Sequence, residues 1–204
     1  MTADAVRVDR RFGLGAGFAA LAIGTVMAIA PPAPLGAIGG PAVDAAAAGT
    51  CANAHGSPGQ ITRGQARDAI VCLINNRRAS NGKGALHTQS GLRKAASRHS
   101  RRMARKNCFA HQCAGEKDLS RRVHSTSYLP CGCSWGLGEN IAWGQKRRGT
   151  PKRIVSSWMH SPSHKKVMLD GDFKHIGIGA VWGSPAGSGG QAGTYTATFG
   201  YKRG

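Results

Sequence analysis

Acidic side chains are scarce in this chain of 204 residues: nine aspartates and glutamates stand against 28 lysines and arginines, for a formal net charge of +19. Such a field draws polyanions, whether wall polymers, anionic lipid head groups or nucleic acid, and says nothing of the fold. Common hydrolase signatures are also missing. There is no His-Glu-x-x-His for a zinc peptidase and no Gly-x-Ser-x-Gly at a nucleophile elbow, so neither route to hydrolysis is written in the chain. No recognised nucleic-acid motif accompanies the charge, which leaves only non-specific adhesion to nucleic acid and no specific partner of that class. Thr50 precedes Cys51 where a lipoprotein box needs Gly or Ala, so lipid attachment is not expected. The length fits one domain with room for a core, and a hydrophobic fraction of 41% argues against wholesale disorder.

What is present begins with a segment unlike the rest. Arg7, Arg10 and Arg11 precede an apolar run from Phe12 to Ala30, which Pro31, Pro32 and Pro34 end, and Ala45 to Ala48 offer small residues for cleavage. Residues 1–48 therefore read as a secretory signal peptide with a small-residue linker, and residues 49–204 as the domain. The run is long enough to span a bilayer if left in place, since about 20 apolar residues suffice. The Ala-rich tail favours removal, so no stable transmembrane anchor is expected. Arg10-Arg11 before Phe12 also permits twin-arginine export. The expected location is secreted, either extracellular or associated with the cell wall. The first 48 residues carry three arginines against three aspartates, so the remainder keeps the whole +19.

Export changes how the cysteines read. Cys51, Cys72, Cys108, Cys113, Cys131 and Cys133 make an even count in an oxidising compartment and predict three bridges. Cys51 opens the mature part and Cys72 falls in the first predicted helix, so these two are expected to pair. The other four cluster around one loop region. Their rival reading is a four-cysteine zinc site, for which the spacing is loose.

Along the mature part, Thr62-Arg63-Gly64-Gln65 is a capping-box pattern, and Ala66, Ala69, Ile70, Leu73 and Ile74 follow at helical spacing, predicting a helix over 62–79. A second helix over about 90–106 buries Leu92, Ala95, Ala96, His99 and Met103, and covers its other faces with lysine and arginine. Phe109-Ala110-His111 lies in an irregular loop between two cysteines, and a short third helix is predicted within 117–127. Thr150-Pro151 and then Ser161-Pro162 each signal a helix start, the second placing His164 in its first turn. Alternation at Ile176, Ile178, Ala180 and Trp182 predicts a strand. A Gly/Ser-rich loop and a return strand over 194–202 follow. Helices, strand, helices and hairpin make an α+β domain with antiparallel strands in the middle. One further stretch, Leu137-Gly138-Glu139-Asn140-Ile141-Ala142-Trp143, sets one of only two glutamates among glycines and reads as a strand with a buried acid.

In this order the sequence resembles a bacterial, secreted member of the CAP superfamily, the SCP or PR-1-like domain. The matching pieces are Cys72-Leu73-Ile74-Asn75 with Arg78, Ala95-Ala96 with His99-Ser100 and Met103, and Phe109-x-His111. They continue with Gly138-Glu139-Asn140-Ile141-Ala142, Trp158-Met159-x-Ser161-Pro162-Ser163-His164 and Phe173-x-x-Ile176-Gly177-Ile178-Gly179. The resemblance implies a three-layer α-β-α sandwich with a small central antiparallel sheet and a cleft lined by histidines and glutamates that can bind zinc or another divalent cation. Carried over residue by residue it assigns His111, Glu139 and His164 to that cleft. Ser161 stands where eukaryotic relatives often have a second acid, and His175, opening the next strand, is then a candidate fourth ligand. Imidazole and carboxylate both suit zinc. The alternative for the same residues is a hydrogen-bonded network with no metal.

Members of such a family are chiefly non-enzymatic or of unresolved activity, so the resemblance and the charge together imply a binding module for lipid, an anionic cell-envelope polymer or a host partner. The alternative is a zinc-dependent hydrolase using the same cleft, with Glu139 or a histidine moving the proton.

Overall fold

The computed structural model describes residues 1–10, 49–129, 133–187 and 191–203. The apolar run of the expected leader lies outside the described residues, as does Cys131 and with it the third expected bridge. The chain opens on strand β1 (Val6–Arg10), followed by helix α1 (Arg63–Ala79), the two-residue strand β2 (His87–Thr88), α2 (Ser90–Arg105) and α3 (Leu119–His124). Strand β3 (Ser134–Gln145), a 3-10 turn, α4 (Pro151–His160), α5 (Pro162–Met168), β4 (His175–Trp182) and β5 (Ala192–Arg203) complete it.

Local chemistry sets these boundaries. Thr62 Oγ1 accepts from the Gln65 N–H at 3.1 Å while Gln65 Oε1 accepts from the Thr62 N–H at 2.8 Å, so the predicted capping box closes α1 at its start. Thr150 caps α4 ahead of Pro151 in its first turn. Ser161 precedes Pro162 in the same way but makes no side-chain cap. Its hydroxyl is diverted to His164, a point on which the site depends. Cys51 bridges Cys72 as expected and ties the loop before α1 to that helix.

The sheet order is β1-β3-β5-β4-β2. All neighbours are antiparallel except β2 and β4, which run parallel through His87 and Thr88, so the sheet is mixed rather than purely antiparallel. The β2 pairing is too short to leave a period-2 trace in the sequence. Strand alternation divides the buried side chains between two layers. Leu137 on one face packs with Leu92 and Ala95 of α2 and Leu119 and Val123 of α3. Ile176, Ile178, Tyr195, Ala197 and Phe199 on the other pack with Ile70 and Ile74 of α1, Ile154 and Trp158 of α4 and Met168 of α5. This is the α-β-α sandwich. A Cβ at Gly177 or Gly179 would strike the backbone of α2 near Arg93 or Ala96, so both glycines are the condition for close contact between that helix and the sheet.

Arg78, 1% exposed, ties α1 to its neighbours in the same layer. It donates to the carbonyls of Gly84 at 2.7 Å, Met168 at 2.7 Å and Asp170 at 2.9 Å, fixing the turns after α1 and α5.

Candidate functional site

Glu139 lies in the middle of β3 and is fully buried. Its strand neighbours Leu137 and Ile141 point to the same face as it does, so the carboxylate stands under the α2–α3 layer. Five side chains meet there. His111 Nδ1 lies 2.9 Å from Glu139 Oε1, Arg122 Nη2 donates to Glu139 Oε2 at 2.6 Å, and His99 Nε2 stands 3.8 Å from Oε1. Glu116 closes the cluster, with His99 Nδ1 3.0 Å from its Oε1 and Arg122 Nε at 4.0 Å. Both glutamates of the chain are thus within one network.

Burial would push the Glu139 carboxyl upward. The hydrogen bond from His111 and the charges of His99, Arg122 and His111 outweigh it, and the group is held below the usual carboxylate range. The same balance acts on Glu116, where burial is outweighed by the hydrogen bond and charge of His99, the Cys113 N–H and the charge of Arg122. Both carboxylates are therefore ionised at neutral pH and spoken for by cations.

His111 is positioned from several sides. The Cys108–Cys113 bridge spans its loop, as expected for a histidine held in place, and removes two of the four thiolates that the alternative zinc site required. Arg122 Nη1 donates to the His111 carbonyl at 2.8 Å. His164 comes from the opposite layer, in the first turn of α5. Its Nδ1 pairs with Ser161 Oγ at 2.7 Å, the hydroxyl that left the helix cap free, and Asn140 Nδ2 donates to its carbonyl at 3.1 Å. His164 is 1% exposed, and its Nε2 is buried without a hydrogen-bond partner among the described residues. Burial pushes its pKa down, the His111 charge adds to that, and the nearby Ala3 carbonyl and Asp4 oppose it.

The two imidazoles are therefore anchored at Nδ1, one by a carboxylate and one by a hydroxyl, with Nε2 turned to the outer edge of β3. A metal-bound histidine is usually oriented in this manner by a group on its other nitrogen. The structure accordingly casts Glu139 as the partner that orients His111, with both its oxygens engaged. His175 is not brought to this place. It lies on β4, two strands from β3, and pairs through Nδ1 with Tyr128 Oη at 2.8 Å. Among the described residues no group of three or more His, Cys, Asp or Glu side chains is arranged to hold a metal ion. The four-ligand set fits poorly; His111 and His164 are the two imidazoles left for a metal, and here the Asp4 carbonyl takes His111 Nε2.

Sequence reasoning missed Glu116, Arg122 and the contacts of His99 with both glutamates. Glu116 carried one signal, being the only other glutamate in the chain. Arg122 carried none among so many basic residues.

The α-β-α sandwich, with His111 and His164 brought from its two helical layers, is the arrangement on which the comparisons with known proteins bear. The model of the cysteine-rich secretory protein family (CAP) matches residues 71–199, and the chain belongs to that family. It is similar to the uncharacterized protein YkwD of Bacillus subtilis (strain 168), 37% identical over 114 residues, which is 55% of this chain and 41% of that protein. The fold is shared with an extracellular protein containing a SCP domain from Bacillus anthracis, at TM-score 0.55 and 22% identity over 69% of this chain and 44% of the other. It is shared too with an outer surface protein of Borrelia burgdorferi, at TM-score 0.53 and 19% identity over 66% and 90%. The match thus spans less than half the length of both Bacillus proteins.

Proposed function

We propose that this chain is a secreted CAP-domain protein acting as a non-enzymatic binding module at the cell envelope, where a basic face takes an anionic lipid or polymer. The observation that carries this reading is the outer side of α2. Arg93, Lys94, Arg98, Arg101, Arg105 and Lys106 are all exposed there, and none is paired with a carboxylate among the described residues. The helix holds no acid at all. Exposed cations that are not neutralised within the fold remain available to an external anion. An extracellular and an outer-surface protein share the fold, and no helix among the described residues is long and apolar enough to cross a membrane, which agrees with an exported module.

The engagement of Glu139 by Arg122 and His111 favours this reading over a zinc-dependent hydrolase, since a general base needs a free lone pair. Zinc or another divalent cation, if taken up, would be held by the Nε2 atoms of His111 and His164 and would supply Lewis acidity there.

The test is cosedimentation of the protein with vesicles of phosphatidylglycerol, beside vesicles of phosphatidylcholine and a teichoic-acid polymer, over a range of salt. The expected result is binding to the anionic partners that falls steeply with ionic strength, and falls again in the charge-reversal variant R93E/K94E/R98E/R101E. Equal binding to phosphatidylcholine, or binding untouched by salt, overturns the proposal.

A further inference from the structure

Residues 1–10 lie along the free edge of β3 and fill the space between the two cleft histidines. We infer that this cleft is a receptor for an extended peptide strand, occupied within the chain by its own first ten residues and open to an extended segment of a partner protein once they leave. The inference goes beyond the polyanion surface and stands apart from it, since it concerns another face of the domain.

Backbone pairing comes first. Val6 through Arg10 pair antiparallel with Glu139 through Trp135, making β1 an added strand on the sheet. Farther along, Thr2 bridges Ala142 and the Trp143 N–H donates to the Met1 carbonyl at 3.1 Å. Four steps separate Thr2 from Val6 while three separate Ala142 from Glu139, so one extra residue bulges from the added strand. Bulges re-aim the groups around them. This one turns the Asp4 carbonyl onto His111 Nε2, sets the Ala3 carbonyl beside His164, and brings Asp4 Oδ1 within 3.1 Å of Ser163 Oγ as acceptor. His111 thus reads backbone, a group present in any peptide.

Side chains supply selectivity. Ala3 packs with Met103 and Ile141, while Val6 and Val8 join the layer of Leu137 and Trp135. Arg7 lies over the Phe173 ring at 5.2 Å and forms ion pairs with Asp170 and with Asp172, the latter at 3.0 Å. Arg7 also pairs with Asp9 of its own strand at 2.8 Å, so three of the nine acids meet one arginine, and the two supplied by the domain, Asp170 and Asp172, make this a subsite for a basic side chain. Asp170 is held there by the Arg78 bond to its carbonyl. At Gly136 a Cβ would collide with Asp9 and Tyr201, so β3 is bare where the added strand crosses it. The favoured occupant is an extended segment with a small residue four places before an arginine or lysine, as Ala3 stands before Arg7. Addition of such a strand to an open sheet edge takes its affinity from main-chain pairing and its specificity from alternate side chains. The leader expected over residues 1–48 contains this segment, and its removal would vacate the seat.

The test uses the full chain, in its natural form and in two opened forms, V8P/D9P and R7E. Alternate residues of an antiparallel strand donate to the partner, so replacing two neighbours removes at least one ladder donor. Hydrogen exchange of the 135–143 amides and binding of a synthetic decapeptide of residues 1–10, labelled at its C-terminus, are read on all three, with circular dichroism to confirm folding. The natural chain should protect its β3 amides and refuse the decapeptide, because an attached occupant wins on effective concentration. Either opened form should exchange faster and bind the decapeptide saturably, with an R7E decapeptide weaker by roughly ten-fold or more. Equal exchange in all three chains, or failure of both folded opened forms to bind the decapeptide, overturns the inference.

Discussion

Arg122 illustrates how much one side chain can carry. It is 5% exposed and touches both carboxylates of the cluster and the carbonyl behind His111. Replacing it with methionine leaves two buried acids with fewer cations, and the loss of one partner from a buried pair costs about 3–5 kcal/mol. Urea denaturation of R122M should show that loss through a lower midpoint. The same carboxylates make a pH prediction. Glu116 and Glu139 have folded pKa values below their unfolded ones, so their contribution is present above the unfolded carboxylate range and is lost as pH falls through the folded values. His164 acts in the same direction at higher pH: its folded pKa is depressed, so stability falls as the unfolded histidine protonates. Denaturation midpoints measured from neutral pH into acid should therefore decline in two stages, and E139Q should reduce the later one. For metal, elemental analysis after refolding with zinc should find bound ion in the opened form V8P/D9P, where the Asp4 carbonyl no longer takes His111 Nε2, less when E139Q is added and none when H111A or H164A is added. Retention in both histidine variants would exclude the two-imidazole seat.

At the scale of elements, the most local features were legible in the chain. The Thr62–Gln65 box, the Thr150-Pro151 start and the alternation of 176–182 each rest on neighbours within a few residues, and α1, α4 and β4 appear where those signals put them. Strand β3 was read only as far as its apolar half and runs from Ser134, because glycines there hide the alternation. The Cys51–Cys72 bridge belongs to this scale too. It closes a separation of 21 residues, so C51A/C72A should lose roughly 3 kcal/mol by the chain-entropy argument, seen as a lower thermal midpoint. At the interface of α2 and β4, G177A should cost about 1–3 kcal/mol, as overpacking does, because the methyl group meets helix backbone that cannot rotate away.

For the molecule as a whole, charge is a property of composition, and it was available before any fold: nine acids against 28 bases. The tertiary structure decided where the acids go. Two enter the buried network with Arg122 and His99, and two more meet Arg7 beside the cleft. The face of α2 keeps none. His111, Glu139 and His164 were named from short motifs, yet their separate roles were not. Glu139 was taken for a ligand and stands behind His111 instead, and His175 was grouped with them although β5 lies between its strand and β3.

The amino-acid sequence by itself determined the helix starts, the strand alternation, the first bridge and the family, all of which follow from side chains close along the chain or from their total. Only the tertiary structure decided that Arg122 neutralises Glu139, that His175 belongs to Tyr128, and that residues 1–10 lie on the edge of β3. Those contacts join segments 17, 47 and more than 100 residues apart. Such pairings are chosen by strand register and layer packing, which no local spacing encodes.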